Sequence, residues 1–488
     1  MVAALPPGRA AQQHHGAAMS PAHFDLLVIG GGPAGSSAAL TAAAFGKRVA
    51  LVEREAHVGG AGINTGTIPS KTLRENALVV AGARARALAC IDMRVKPQLT
   101  LAAVTGQVAA VEAGIRHEWD ARLRQCDVAV HHGAATFIDA HTVEVATAAG
   151  PVQLSGAIIV IATGSSPVRP EGFDFAHRRV HDSNEILEIT ELPVSLAVVG
   201  AGVIGAEYAG TFAALGVEVH LIDGRDTLLP FLDAEISKAI YKGMVQAGVK
   251  FHWKERVVSC TSPENGPVTV ELSSGLRLPV SDVLVAAERS SNTETLGLDK
   301  AGVALGKRGL VPVNEWYQTA VPHIYAAGDV VGPPALAATG MEQARVAVCH
   351  AFDLVKKDIA PQLPTGIYTI PEAGTFGATE EELVKAGTPY VVGRAAYRHN
   401  PRGRIIGDRQ GLLKLIFHRD DRRLLGVHVV GEQATELVHI GMMAMLCGAT
   451  EDIFSRACFN YPTLGDLYKY ATYDAEMGRR AVRPPAPA

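Results

Sequence analysis

From Gly59 to Lys71 the chain reads Gly-Gly-Ala-Gly-Ile-Asn-Thr-Gly-Thr-Ile-Pro-Ser-Lys. Glycines at that density let main chain lie flat against a planar ligand, and Gly60 is placed to do so. Pro69 suits an early helical position, so Lys71 in the first turns would aim an ammonium at the ligand's edge. The chemistry this offers is stabilisation of negative charge as it develops on a cofactor. Just upstream, an apolar strand over residues 24–29 enters Gly30-Gly31-Gly32-Pro33-Ala34-Gly35, an alanine-rich helix follows to residue 45, and a strand over 48–52 ends in Glu53 and Arg54. Strand, glycine turn, helix, strand and acid in that order make a dinucleotide-binding unit. Gly30 allows the tight turn, Gly32 lets phosphate approach main chain, and Gly35 lets helix pack on strand. Pyrophosphate then sits on the positive helix end, against Pro33 and Ala34. Glu53 takes the ribose hydroxyls through its carboxylate.

The pattern occurs a second time. A strand over 196–199 enters Gly200-Ala201-Gly202-Val203-Ile204-Gly205, helix is expected to residue 215, and a strand over 217–222 ends in Asp223. Two nucleotide units imply two nucleotide ligands, and a flavin together with a nicotinamide dinucleotide implies hydride transfer. Asp223 suits NAD through the 2′-hydroxyl and repels a 2′-phosphate, whereas Arg225 can pair with that phosphate. An enzyme that accepts both coenzymes needs such a compromise.

The 59–71 stretch resembles the active-site segment of the flavin-dependent pyridine nucleotide-disulfide oxidoreductases, the family of dihydrolipoamide dehydrogenase and glutathione reductase. In that family two half-cystines stand five apart; here the positions are Gly62 and Thr67, so no redox disulfide can form. The Gly-Thr-Ile-Pro-Ser-Lys wording of 66–71 and Leu-Pro-Thr-Gly-Ile-Tyr-Thr-Ile-Pro-Glu of 363–372 are similar to one branch, the soluble pyridine nucleotide transhydrogenases, which move hydride between NADPH and NAD through FAD. The resemblance implies flavin contacts at Thr67, Lys71, Thr163, Gly164, Gly328, Asp329, Leu336 and Ala337, with Asp329 reaching the ribityl chain. It also implies that Glu207 pairs with Lys71 beside the flavin and the nicotinamide. Glu288 stands where the family has glycine, in the run 283–292 that resembles a strand returning from the nicotinamide domain, and its carboxylate is expected to crowd the coenzyme. In Asn460-Tyr461-Pro462-Thr463-Leu464-Gly465-Asp466, Tyr461 replaces the family's histidine and Asp466 its glutamate. A phenol titrates near 10 in model compounds and is a poor base at neutrality. Dithiol chemistry is therefore lost at Gly62, Thr67 and Tyr461 together.

At 488 residues the chain exceeds what one core supports. The fold expected is α/β: two Rossmann-like three-layer domains, for FAD and NAD(P), plus a C-terminal α+β dimerisation domain. The boundaries read as a disordered extension over 1–22, an FAD domain over 23–167 and 292–360, an NAD(P) domain over 168–291, a dimer domain over 361–475 and a disordered tail over 476–488. Short strands are expected over 128–145, around Gly133 and His141, a buried strand over 157–161, a strand over 324–330, and a helix over 341–354. A net charge of −4 without a basic stripe excludes nucleic acid as a partner, and no apolar run approaches the roughly 18 residues of a spanning helix. Met1–His23 lacks the basic start and apolar core of a secretory signal; an extension, or a start at Met19, is expected. Cys90, Cys126, Cys260, Cys349, Cys447 and Cys458 have no ligand spacing, which points to a reducing cytoplasm and no metal. The resulting expectation is a cytoplasmic homodimer that uses FAD, with NAD(H) and NADP(H) as substrates. The alternatives are a diaphorase or oxidase that uses quinone or oxygen, and a flavin-holding sensor without turnover.

Overall fold

The computed structural model describes residues 21–85, 101–354 and 362–482. Strand β1 (Ala22–Ile29) runs into helix α1 (Pro33–Ala44), and β2 (Val49–Glu53) returns parallel to it, with all five of its residues buried. A strand covered on both faces needs such a continuous apolar run. After α2 (Thr67–Ala85) and α3 (Leu101–Gln125) come β3 (Ala129–His132), β4 (Ala134–Phe137), β5 (Thr142–Thr147) and β6 (Gly150–Ile161). The sheet order is β3-β2-β1-β6-β5-β4, parallel from β3 to β6 and antiparallel beyond. Ligand is then expected at the carboxyl ends of β1 and β6, where the order of connection reverses.

The second unit begins with β7 (Ser165–Pro167) and β8 (Val180–Asp182), then β9 (Ser195–Val199), α4 (Val203–Leu215), β10 (Glu218–Asp223), α5 (Ala234–Gln246) and β11 (Lys250–Trp253). An antiparallel layer of β12 (Val257–Thr261), β13 (Val268–Leu272) and β14 (Arg277–Val280) follows, then β15 (Asp282–Val285) and β16 (Arg289–Ser291). Its parallel sheet runs β11-β10-β9-β15-β8, the same order about the glycine turn as in the first unit. Helices α4 and α5 pack on one face and the three-stranded layer on the other, giving two cores around one sheet. The run 283–292 is two strands rather than one. Main chain at Ala286 and Ala287 passes directly over Gly200, and that crossing separates β15 from β16.

β16 pairs with β7, and the chain re-enters the first unit through β17 (Ile324–Ala326), parallel to β6. Helix α6 (Ala337–Ala351) then packs on α1 through Ala38, Ala39, Ala344 and Ala347, whose small side chains allow close approach. It begins four residues before the start read from the sequence, because Leu336 is the extended residue that precedes its first turn.

The third unit holds β18 (Thr365–Ile367), β19 (Ala373–Gly377), α7 (Glu380–Ala386), β20 (Tyr390–Ala396), α8 (Pro401–Ile406), β21 (Leu412–His418), β22 (Leu424–Val430), α9 (Ala434–Leu446), α10 (Asp452–Arg456) and α11 (Leu467–Val482). Its antiparallel sheet, β18-β19-β22-β21-β20, carries its own core with α9 and α11. The buried Lys414 donates to both carboxylate oxygens of Asp233 at 2.8 Å and ties this unit to α5. A disordered tail from 476 is corrected here: α11 continues to Val482, because Arg479 reaches Glu451 at 2.6 and 2.7 Å and neutralises a fully buried carboxylate. Residues 483–488, and 1–20 of the N-terminal extension, lie outside the described residues. So does the expected boundary at 360–361. Among the described residues no helix is long and apolar enough to cross a membrane.

Candidate functional site

Two glycine turns set the site. Gly30 has φ +104°, a conformation that L side chains rarely adopt, and a Cβ there would stand 2.3 Å from the carbonyl oxygen of Ala162. Gly200 repeats it with φ +104° and 2.6 Å to the oxygen of Ala286. Gly32 and Gly60 oppose each other across the first turn, since a Cβ on Gly60 would lie 2.9 Å from the Cα of Gly32. In this way main chain is bared on both sides of a cleft of about 480 Å³.

The lining of that cleft brings together Pro33, Ala34, Glu53, Arg54, Thr67, Thr163, Gly164, Gly328, Asp329, Leu336 and Ala337. Gly35 stands behind it and lets α1 touch β1. The buried Glu53 accepts the Gly31 and Glu55 N–H groups at 2.8 Å each, which fixes the carboxylate and leaves lone pairs toward the cleft. Two buried polar atoms there, Thr163 Oγ1 and Asn64 Oδ1, have no protein partner. Orphaned groups in a glycine-lined cleft, with the N-termini of α1 and α6 facing it, fit the hydroxyls and phosphates of a flavin dinucleotide.

Asp329 accepts the Ser165 hydroxyl at 2.6 Å, and Ser165 Oγ in turn accepts Arg289 Nε at 2.8 Å. Burial pulls Arg289 below the usual arginine range, against the upward pull of Asp329. Ser165, Arg289 and Asn292 line the cleft and were not foreseen.

Ala61–Thr65 is a π-turn, closed by the Gly66 N–H on the Ala61 carbonyl. Position 62 lies inside this turn and position 67 opens α2. Gly62 has no room for sulfur here: a Cβ would meet Pro33 Cγ at 2.4 Å. Installing Gly62→Cys with Thr67→Cys is therefore expected to yield no dithiol charge-transfer band on reduction and no disulfide reductase turnover. Tyr461 lies exposed in the described chain.

Lys71 lies one turn beyond Thr67 on α2 and is not among the residues that line the cleft. Its ammonium is 2.5 Å from Glu207 Oε2, while the other oxygen of Glu207 accepts the Tyr368 N–H at 2.9 Å. The ring of Tyr368 lies 5.0 Å from the same ammonium. Next to it the buried Arg74 pairs with Glu372 at 2.8 Å. Three units meet at one ion pair. Tyr368, Arg74 and Glu372 were missed as site residues, although Tyr368 and Glu372 belong to the 363–372 wording.

In the second unit Gly202, Val203 and Ile204 form the N-terminus of α4, with Gly205 packed on Gly200. Asp223 copies Glu53, accepting the Ala201 N–H at 2.6 Å and the Arg225 N–H at 2.8 Å. The Arg225 guanidinium adds two bonds, at 2.8 and 2.7 Å. Burial opposes the charged form of Asp223, but the Arg225 bonds and the Ala201 N–H outweigh it and hold its carboxyl down to about 2. Glu288 is exposed, and its carboxylate meets Arg308 at 3.6 Å.

Pyridine nucleotide-disulphide oxidoreductase sequences match residues 24–351, and the dimerisation domain of the same family matches 363–472. The chain belongs to this family. It is 45% identical over 464 residues to a soluble pyridine nucleotide transhydrogenase of Mycobacterium bovis, spanning 94% of this chain and 98% of that one. A transhydrogenase of the same description from Pseudomonas putida is 40% identical, over 93% and 98%. Among solved structures, LpdA of Mycobacterium tuberculosis superposes with a TM-score of 0.86 at 26% identity, over 93% of this chain and 99% of that one. The HOCl-induced flavoprotein disulfide reductase RclA of Escherichia coli superposes at 0.84 and 27%, over 92% and 99%. Within the family this chain sits in the transhydrogenase branch, with glycine and threonine where a redox disulfide would stand. Flavin-mediated hydride transfer, not a disulfide relay, follows. The third unit is the dimerisation domain, and Met443 on α9 with Tyr473 and Met477 on α11 gives it exposed apolar surface.

Proposed function

We propose that this chain is a cytoplasmic homodimer that moves hydride between NADPH and NAD, each coenzyme visiting in turn. When bound, FAD takes hydride from one nicotinamide and returns it to the other. The observation that carries this reading is the pairing of two complete nucleotide units with an active-site turn that holds no sulfur at positions 62 and 67. The chain's own residues do the rest. Glu53, Asp329 and the bared main chain of Gly30 to Gly32 hold the flavin; Asp223 holds the coenzyme ribose. Lys71, on α2 outside the cleft lining and oriented by Glu207, would supply a fixed positive charge that favours the reduced, negatively charged flavin. The cysteines support the cytoplasmic assignment, since the five described ones form no disulfide with one another.

Anaerobic stopped-flow with NADPH is expected to bleach the yellow protein, and NAD to restore the colour far faster than air does. Rapid return in air with slow return on NAD would replace transhydrogenation by an oxidase. A flavin that never bleaches would leave a binding protein without turnover.

A further inference from the structure

The strand end of the second nucleotide unit gathers more positive charge than chain order reveals. Arg225 is committed to Asp223 through Nε and Nη2, and Lys254 sits 3.3 Å from Asp226. Arg256 is placed differently. It is exposed, three residues past β11, and its Nε and Cγ lie 3.6 and 3.8 Å from the point where a Cβ on Gly224 would stand. Gly224 directly follows Asp223, so this guanidinium lies over the residue next to the ribose-binding carboxylate. Its backbone is pinned, with its N–H on Ser273 Oγ at 3.2 Å and its carbonyl accepting the Ser273 N–H at 2.9 Å. Nearby carboxylates are engaged: Glu255 accepts Ser273 Oγ at 2.6 Å and the Ser274 N–H at 3.0 Å, and Asp226 has Lys254. Among the described residues Arg256 itself has no ion-pair partner.

A coenzyme with a 2′-hydroxyl donates to Asp223. A 2′-phosphate has no proton to give and meets a carboxylate that is ionised at every working pH. Arg225 already has Nε and Nη2 on Asp223, so only part of its fork is left for the phosphate. We propose that Arg256 binds the 2′-phosphate of NADP(H), while Arg225 stays on Asp223 and cancels its charge. The hydroxyl coenzyme then uses Asp223 and the phosphorylated one uses Arg256, so a single pocket serves both without rearrangement. The assignment rests on the function proposed above.

The test is Arg256→Gln, with Arg256→Lys beside it, assayed with NADPH and NADH and titrated with 2′,5′-ADP and 5′-ADP. Loss of one arginine–phosphate pair is expected to raise the NADPH KM and weaken 2′,5′-ADP about tenfold or more. NADH KM, 5′-ADP affinity and kcat stay within about twofold, and lysine restores part of the loss, as a point charge should. A parallel rise for both coenzymes would mean a merely structural arginine and overturn the assignment. An unchanged NADPH KM and unchanged 2′,5′-ADP affinity would also overturn it, leaving the transhydrogenase reading intact as long as NADPH still bleaches the flavin. Should NADPH fail to bleach the unaltered protein, the function and this assignment fall together.

Discussion

Replacing Lys71 by methionine is expected to give a protein that keeps its flavin and accepts electrons from NADPH about 10²-fold more slowly. Methionine matches much of the length of lysine, and Lys71 does not line the flavin cleft, so retention of the cofactor should not suffer. What is lost is a charge held in place. Lys71 is a quarter exposed, but its partner Glu207 is buried and has a second anchor in the Tyr368 N–H, so the ammonium cannot wander. A preorganised charge of this kind is worth about 10²–10³ in rate. Glu207 would then face a partly buried site with one donor left, which lowers stability by about 1–3 kcal/mol. The measurement is anaerobic stopped-flow with each nicotinamide, beside a thermal melt. A melt that shifts while reduction runs at the original rate would make the pair a structural tie and remove Lys71 from the chemistry.

The second large effect separates the two nucleotide units. Alanine at Gly35 would put a Cβ 1.8 Å from the carbonyl oxygen of Gly30, and alanine at Gly205 would do the same to Gly200 at the same 1.8 Å. Backbone oxygens cannot swing aside as a side chain would, so each helix must leave its strand, with a cost of several kcal/mol where overpacking is severe. The units share geometry but not ligand. Gly35→Ala is therefore expected to purify colourless, or to be lost to aggregation, whereas Gly205→Ala should be yellow and stay yellow when NADPH or NADH is added. Visible absorbance before and after anaerobic reductant reads both. A yellow Gly35→Ala protein of normal flavin content would show that the first glycine turn is not where the flavin dinucleotide sits.

Much of this molecule was legible because its motifs are local. Strand, turn and acid lie within about thirty residues, so Gly30, Glu53, Gly200 and Asp223 could be placed from spacing alone. The Lys71–Glu207 pair spans 136 residues and was reached only through the family resemblance. What stayed hidden depends on contacts between distant segments. Arg289 looks like an ordinary loop cation until β16 pairs with β7 and brings it to Ser165. Arg479 reads as part of a charged, proline-rich tail, because nothing local announces a buried Glu451 waiting 28 residues upstream.

The ion pair at the start of α2 has one further implication, which concerns synthesis. Its acid comes from the second unit, its base from the first, and the backbone donor that steadies them from the third. During translation the flavin cleft is finished only with Gly340, 28 residues before Tyr368 is added. A chain that can already close its flavin cleft thus still lacks a complete reductive centre, which forms only when the last module has docked.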